Sequence, residues 1–158
     1  MIPRPEIPRP TGIREEILRG QRLLEYYCQP QQPVSRHRWS YLLLVECYDE
    51  SWNKSGAGVI VKNGSTLMQT LAFSAEEIGE LRQRLEKMTL PVKIEGGFAL
   101  DGVNAIVRIR DDGSCMDLSW SGCAPEEWAP LHEWIGDVWQ RIEDKAFDED
   151  FDTKKTNP

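Results

Sequence analysis

Residues 103–120 read VNAIVRIRDDGSCMDLSW, two alternating stretches on either side of Asp112-Gly113. Asp-Gly tolerates the positive φ values of a two-residue hairpin turn. Such a turn opposes Ile109 to Met116, Val107 to Leu118 and Ala105 to Trp120, so every facing pair is apolar and all share one face. The other face receives Asn104, Arg108, Arg110, Asp117 and Ser119, with Arg108 opposite Asp117. A slip of one residue would destroy both patterns. The stretch therefore predicts an antiparallel hairpin packed on one side and wet on the other. A second turn at Asp101-Gly102 would add another strand, with Leu100 facing Val103 and Phe98 facing Ala105.

Downstream, Trp128, Leu131, Ile135, Val138 and Ile142 recur at alternating three- and four-residue steps, with Trp134 and Trp139 flanking the stripe. Pro130 is tolerated only near a helix start, so this helix should begin there, after a turn containing Glu126 and Glu127. Upstream, FSAEEIGELRQRLEKM predicts a helix with a defined start. Ser74 can cap it, Glu77 holds the reciprocal capping-box position, and Phe73 and Ile78 have the spacing of a hydrophobic staple. Ile78, Leu81, Leu85 and Met88 form its apolar stripe, and Pro91 closes it.

In the first half, Trp39, Tyr41, Leu43, Val45 and Cys47 alternate along one face while Leu42 and Leu44 make the other apolar. That pattern suits a strand buried on both sides, central in its sheet. Val59–Val61 and Leu67–Phe73 read as further strands joined at Asn63-Gly64. Before them, Ile13, Ile17, Leu24 and Tyr27, with Gly20 on the same stripe, predict a helix from about Ile13 to Cys28, ended by QPQQPVSRHR. The resulting order is α, then βββα twice: an α+β fold whose antiparallel sheet comprises two three-stranded meanders with helices on one face. VIVKNGS and VRIRDDGS each precede a helix, which raises an internal duplication.

Residues 13–146 thus read as a single domain. An arm, 1–12, writes Ile-Pro-Arg-Pro twice; its prolines favour an extended leader laid on the domain. Residues 147–158 form an acidic tail expected to fray. Its Asp148, Asp150 and Asp152 have the spacing that opens an EF-hand loop, but Thr153 stands where that loop requires Gly, so calcium is not expected.

Forty per cent apolar residues, six of all residues being Trp, mark a folded chain of 158 residues. A formal charge of −7 argues against a nucleic-acid partner and suits a basic protein. The longest aliphatic run, Leu42–Val45, is far short of a membrane span, and the first residues lack a signal peptide's apolar core, so a cytoplasmic protein is expected. Cys28, Cys47, Cys115 and Cys123 form no Cys-x-x-Cys pair, and only His37 and His132 could join them; reduced thiols are expected, with no metal and no cofactor.

SAEEIGELRQRLEKM, GGFALDGVNAIVRIRDDGSCMDLSW and PEEWAPLHEWI together resemble a recurrent type of small uncharacterised bacterial α+β protein. In that type a Ser-capped helix precedes a Leu-Asp-Gly hairpin, a strand ending in Trp and a closing helix opened by Pro. The likeness spans about residues 38–142. It implies the fold and carries no catalytic residues.

No nucleophile elbow, phosphate-binding glycine loop or zinc-binding His-Glu-x-x-His is present, and no catalytic residue is assigned. His37 lies between two arginines that disfavour its protonation, and His132 sits on a helix flank in a structural role. The loop YDESWNKSG is different. Trp52, with Asp49, Glu50 and Lys54 nearby, is either an interface anchor or a ring folded back over the sheet end. The leading expectation is a non-enzymatic binding protein, an acidic immunity-type inhibitor of a basic bacterial toxin or enzyme, contacting it through Asp49, Glu50 and Trp52. The alternatives are a subunit or adaptor of a larger complex, and a small-molecule binder or enzyme with a Trp-lined pocket. The oligomeric state is left open.

Overall fold

The computed structural model describes residues 6–64, 68–91, 102–111 and 114–155. In chain order the elements are α1 (Glu15–Arg19), β1 (Gln21–Pro30), β2 (Ser40–Tyr48), β3 (Lys54–Val61), β4 (Met68–Ser74), α2 (Ala75–Glu86), β5 (Val103–Asp111), β6 (Ser114–Gly122) and α3 (Ala129–Lys155). Short 3-10 turns lie at Pro33–Ser35 and Glu126–Trp128. The fold is α+β, with one six-stranded antiparallel sheet in the order β4-β3-β2-β1-β5-β6.

The late hairpin has the expected register: Ile109 faces Met116, Val107 faces Leu118, Ala105 faces Trp120 and Arg108 faces Asp117. Arg108 Nε donates to Asp117 Oδ1 at 2.7 Å. The strand expected before it lies outside the described residues, as do Leu100 and Phe98. Their expected partners Val103 and Ala105 pair instead with Pro30 and Cys28 of β1.

The first expected helix is the main correction. Only Glu15–Arg19 is helical, and Gln21–Pro30 is a strand between β2 and β5. Its pairing with β2 is irregular between Arg22 and Leu24, so Leu23 and Leu24 both turn toward the helices. Glu25 and Tyr27 then face the opposite side. Burial on both faces let Leu24 and Tyr27, which point to opposite sides, recur at a step that mimics a helical stripe. Gly20 sits where the chain changes form: a Cβ there would lie 2.2 Å from Val45 Cγ1 and 2.7 Å from the Glu46 carbonyl. Such an approach to β2 requires glycine.

Two layers cover the sheet. On one face α2 and α3 bring Ile78, Leu81, Leu131, Val138 and Ile142 against Leu24, Leu42, Leu44 and Val107. Trp134, also in this layer, donates from Nε1 to the Leu81 carbonyl at 3.0 Å, joining the two helices. On the other face Ile7 of the arm with Ile13 and Ile17 covers Tyr41, Leu43, Val45 and Val59. The helices therefore do not all lie on one face, because β1–β3 are apolar on both. Ser119 and Ser121 of β6 remain exposed on that second face, so the late hairpin keeps a wet side.

Asn63 and Gly64 both take positive φ, 50° and 63°, at the β3–β4 connection. Pairing resumes at Val61 with Met68. VIVKNGS and VRIRDDGS thus each fall in a hairpin followed by a helix. At the other end, α3 runs through Lys155, into the segment read as an acidic tail. No described helix is long and apolar enough to cross a membrane.

Candidate functional site: the β2–β3 tip

A carboxylate inside an apolar strand forms the base of this tip. Glu46 interrupts the run LLLVECY and is 1% exposed. Burial of that charge requires partners. Its Oε1 accepts from the Tyr48 hydroxyl at 2.6 Å and lies 3.5 Å from an Arg82 guanidinium nitrogen; its Oε2 lies 3.3 Å from Lys54 Nζ. Residues from both strands and from α2 therefore converge below the connection. The hydrogen bond to Glu46 also raises the Tyr48 phenol pKa, because ionising it would set two anions together.

Above this base, Asp49 organises the loop. Its Oδ1 accepts from the backbone N–H groups of Ser51 and Asn53, each at 2.8 Å, and its Oδ2 accepts from Asn53 Nδ2 at 2.9 Å. The Trp52 N–H donates to the Asp49 carbonyl at 3.0 Å, and the Asp49 N–H to the Asn53 carbonyl at 3.1 Å. Hydrogen bonds first from the Asn53 side chain and then from the Asn53 backbone hold the Asp49 carboxyl below its usual pKa. Trp52 adopts φ 63°, a left-handed conformation that costs a bulky residue energy unless its surroundings hold it there.

This chain path sends the indole outward. Trp52 is 80% exposed and touches Tyr48 edge-on, with ring centroids 6.1 Å apart; Tyr48 is itself exposed. Lys54 Nζ lies 5.9 Å from the Tyr48 ring centre. The ring is not folded back over the sheet end. Glu50 is exposed beside it. Asp49, grouped with Glu50 and Trp52 in the sequence reading, is spent on holding the loop. Sequence reading placed Lys54 near Trp52 but missed Tyr48, Glu46 and Arg82 as parts of the site, although an acid within LLLVECY was a usable signal.

The other candidates take structural places. His132 packs edge-on against Trp120 at 4.9 Å, and burial lowers its imidazole pKa. The His37 carbonyl lies against Gly64, where a Cβ would approach it to 1.8 Å. All four cysteines are free. Burial raises the thiol pKa of Cys28, partly countered by a Tyr26 hydrogen bond, and that of Cys47, leaving little thiolate at either. Among the described residues no three His, Cys, Asp or Glu gather as a metal site. No protein-family model, curated protein or solved structure matches this chain.

Proposed function

We propose that this protein is a non-enzymatic binding module of the acidic inhibitor kind, which covers a basic protein partner and anchors itself through the β2–β3 tip. The observation that carries this reading is Trp52, 80% exposed on a loop whose backbone is already held by Asp49. An aromatic ring presented without further ordering loses little entropy on docking, which is the economy of a hot spot. Glu50 supplies the outward charge beside it, and the formal charge of −7 supplies long-range attraction to a basic surface.

The test is comparative capture from the native cell. Wild type should retain a basic partner that Trp52→Ala releases, while the two proteins unfold at the same denaturant midpoint. With the partner in hand, its association rate should fall steeply as salt shortens the screening length toward about 8 Å. Trp52→Ala should mainly speed dissociation and Glu50→Gln mainly slow association. An acidic partner whose binding ignores salt would replace this reading with that of an assembly subunit. Equal capture by wild type and Trp52→Ala would remove the tip from the interface.

A further inference from the structure

Away from the tip, the second face of β1, β5 and β6 concentrates positive charge on an acidic protein. Arg22 and Glu25 of β1, Arg108 and Arg110 of β5, and Asp117 of β6 share that face, and Arg9 of the arm reaches onto it. The two carboxylates are committed. Glu25 Oε1 accepts from Arg9 Nε at 2.7 Å, and Asp117 Oδ1 accepts from Arg108 Nε at the same distance. Arg108 Nη1 lies a further 4.0 Å from Glu25 Oε2.

Arg22 and Arg110 are left over. Both are half-buried, and neither forms an ion pair with a described carboxylate. Arg110 Nε is buried and has no hydrogen-bond partner. A donor that is charged, desolvated and unanswered is costly, and native structures rarely keep one without a use. Burial first, and then the neighbouring guanidiniums of Arg9 and Arg110, lower the Arg22 pKa; Glu25 and Tyr41 act in the opposite sense. Among the described residues, four guanidiniums thus face two carboxylates.

We infer that Arg22 and Arg110 form a binding site for a small oxyanion, a phosphoryl or carboxylate group held between the planar forks of the two side chains. Guanidinium forks match such groups through paired N–H donors, and an anion here would answer the Arg110 Nε and relieve the repulsion between the two cations. The site is distinct from the Trp52 tip: Arg22 pairs across from Val45 on the arm-covered face, whereas Glu46 at the base of the tip turns to Arg82 of α2 on the other face.

Thermal unfolding of the full chain tests it, in inorganic phosphate or in citrate against chloride at equal ionic strength. A saturable rise of several degrees in Tm is expected in wild type and should be absent from Arg22→Gln and Arg110→Gln. In chloride, Arg110→Gln should melt no lower than wild type, since it removes an unanswered buried charge. A purely structural arginine would instead lower Tm on substitution and leave any phosphate response intact. Response to phosphate alone identifies a phosphoryl group, and a stronger response to citrate identifies a carboxylate. If a variant fails to fold, the Arg110 Nε–H resonance of the wild-type protein is titrated with phosphate and with citrate. A saturable shift with either anion supports the site. No shift, no rise in Tm, or a rise shared by both variants overturns it.

Discussion

Glu25 shows how a single charge can be kept inside this fold. It is 1% exposed, and burial alone would raise its pKa. Hydrogen bonds from Arg9 and from the Tyr41 hydroxyl, the latter at 2.9 Å, outweigh that effect and hold the carboxyl below its usual value. A pKa lower in the folded than in the unfolded chain adds stability above the unfolded value, about 4.3, and that stability is lost as pH falls through the folded value. Wild type should therefore weaken on acidification below about pH 5 more than Glu25→Gln does. Urea midpoints measured across that range should converge; parallel profiles would deny the linkage. At neutral pH Glu25→Gln should itself be less stable by about 1–3 kcal/mol, because the Arg9 hydrogen bond loses its charged acceptor. Gly64→Ala should cost about 2 kcal/mol or more, since it places a side chain at φ 63° against the His37 carbonyl.

Among the elements, α2 was legible because its instructions are local. Ser74 Oγ accepts from the Glu77 N–H at 3.2 Å, and Glu77 Oε2 accepts from the Ser74 N–H at 2.8 Å. Ser74→Ala should cost about 1 kcal/mol. Glu77 also pairs with Lys145 of α3 at 2.8 Å, so Glu77→Ala loses a tie between helices besides its half of the box. The double variant should lose less than the sum of the single losses, and strict additivity in denaturant unfolding would mean that the two residues act apart. The β5–β6 register was legible for a similar reason, its turn and both patterns lying within 18 residues. Val107→Asp should cost several kcal/mol by burying an unpaired charge, and an unchanged Tm would contradict the packing of Val107 under the helices. In β1 no such local key exists. Its bulge answers to β2 and its two-sided burial to α2, α3 and the arm, all distant in sequence, so periodicity alone favoured a helix.

At the scale of the molecule, the exposed Trp52 could be suspected from the sequence because an indole among charges is conspicuous in a loop. That Arg22 and Arg110 share one face of the sheet could not, since 88 positions separate them and only the adjacency of β1 and β5 brings them near each other. That adjacency matters during synthesis. β1 is made early and finds β2 soon after, but its second edge stays unpaired until β5, roughly 70 residues later, leaves the ribosome; at 5–20 residues per second the wait is about 4–14 s. Throughout it, the edge of LLEYYC, rich in Leu and Tyr, is open to strands from other chains. The nascent chain is thus open to aggregation at a strand that later lies in the middle of the sheet.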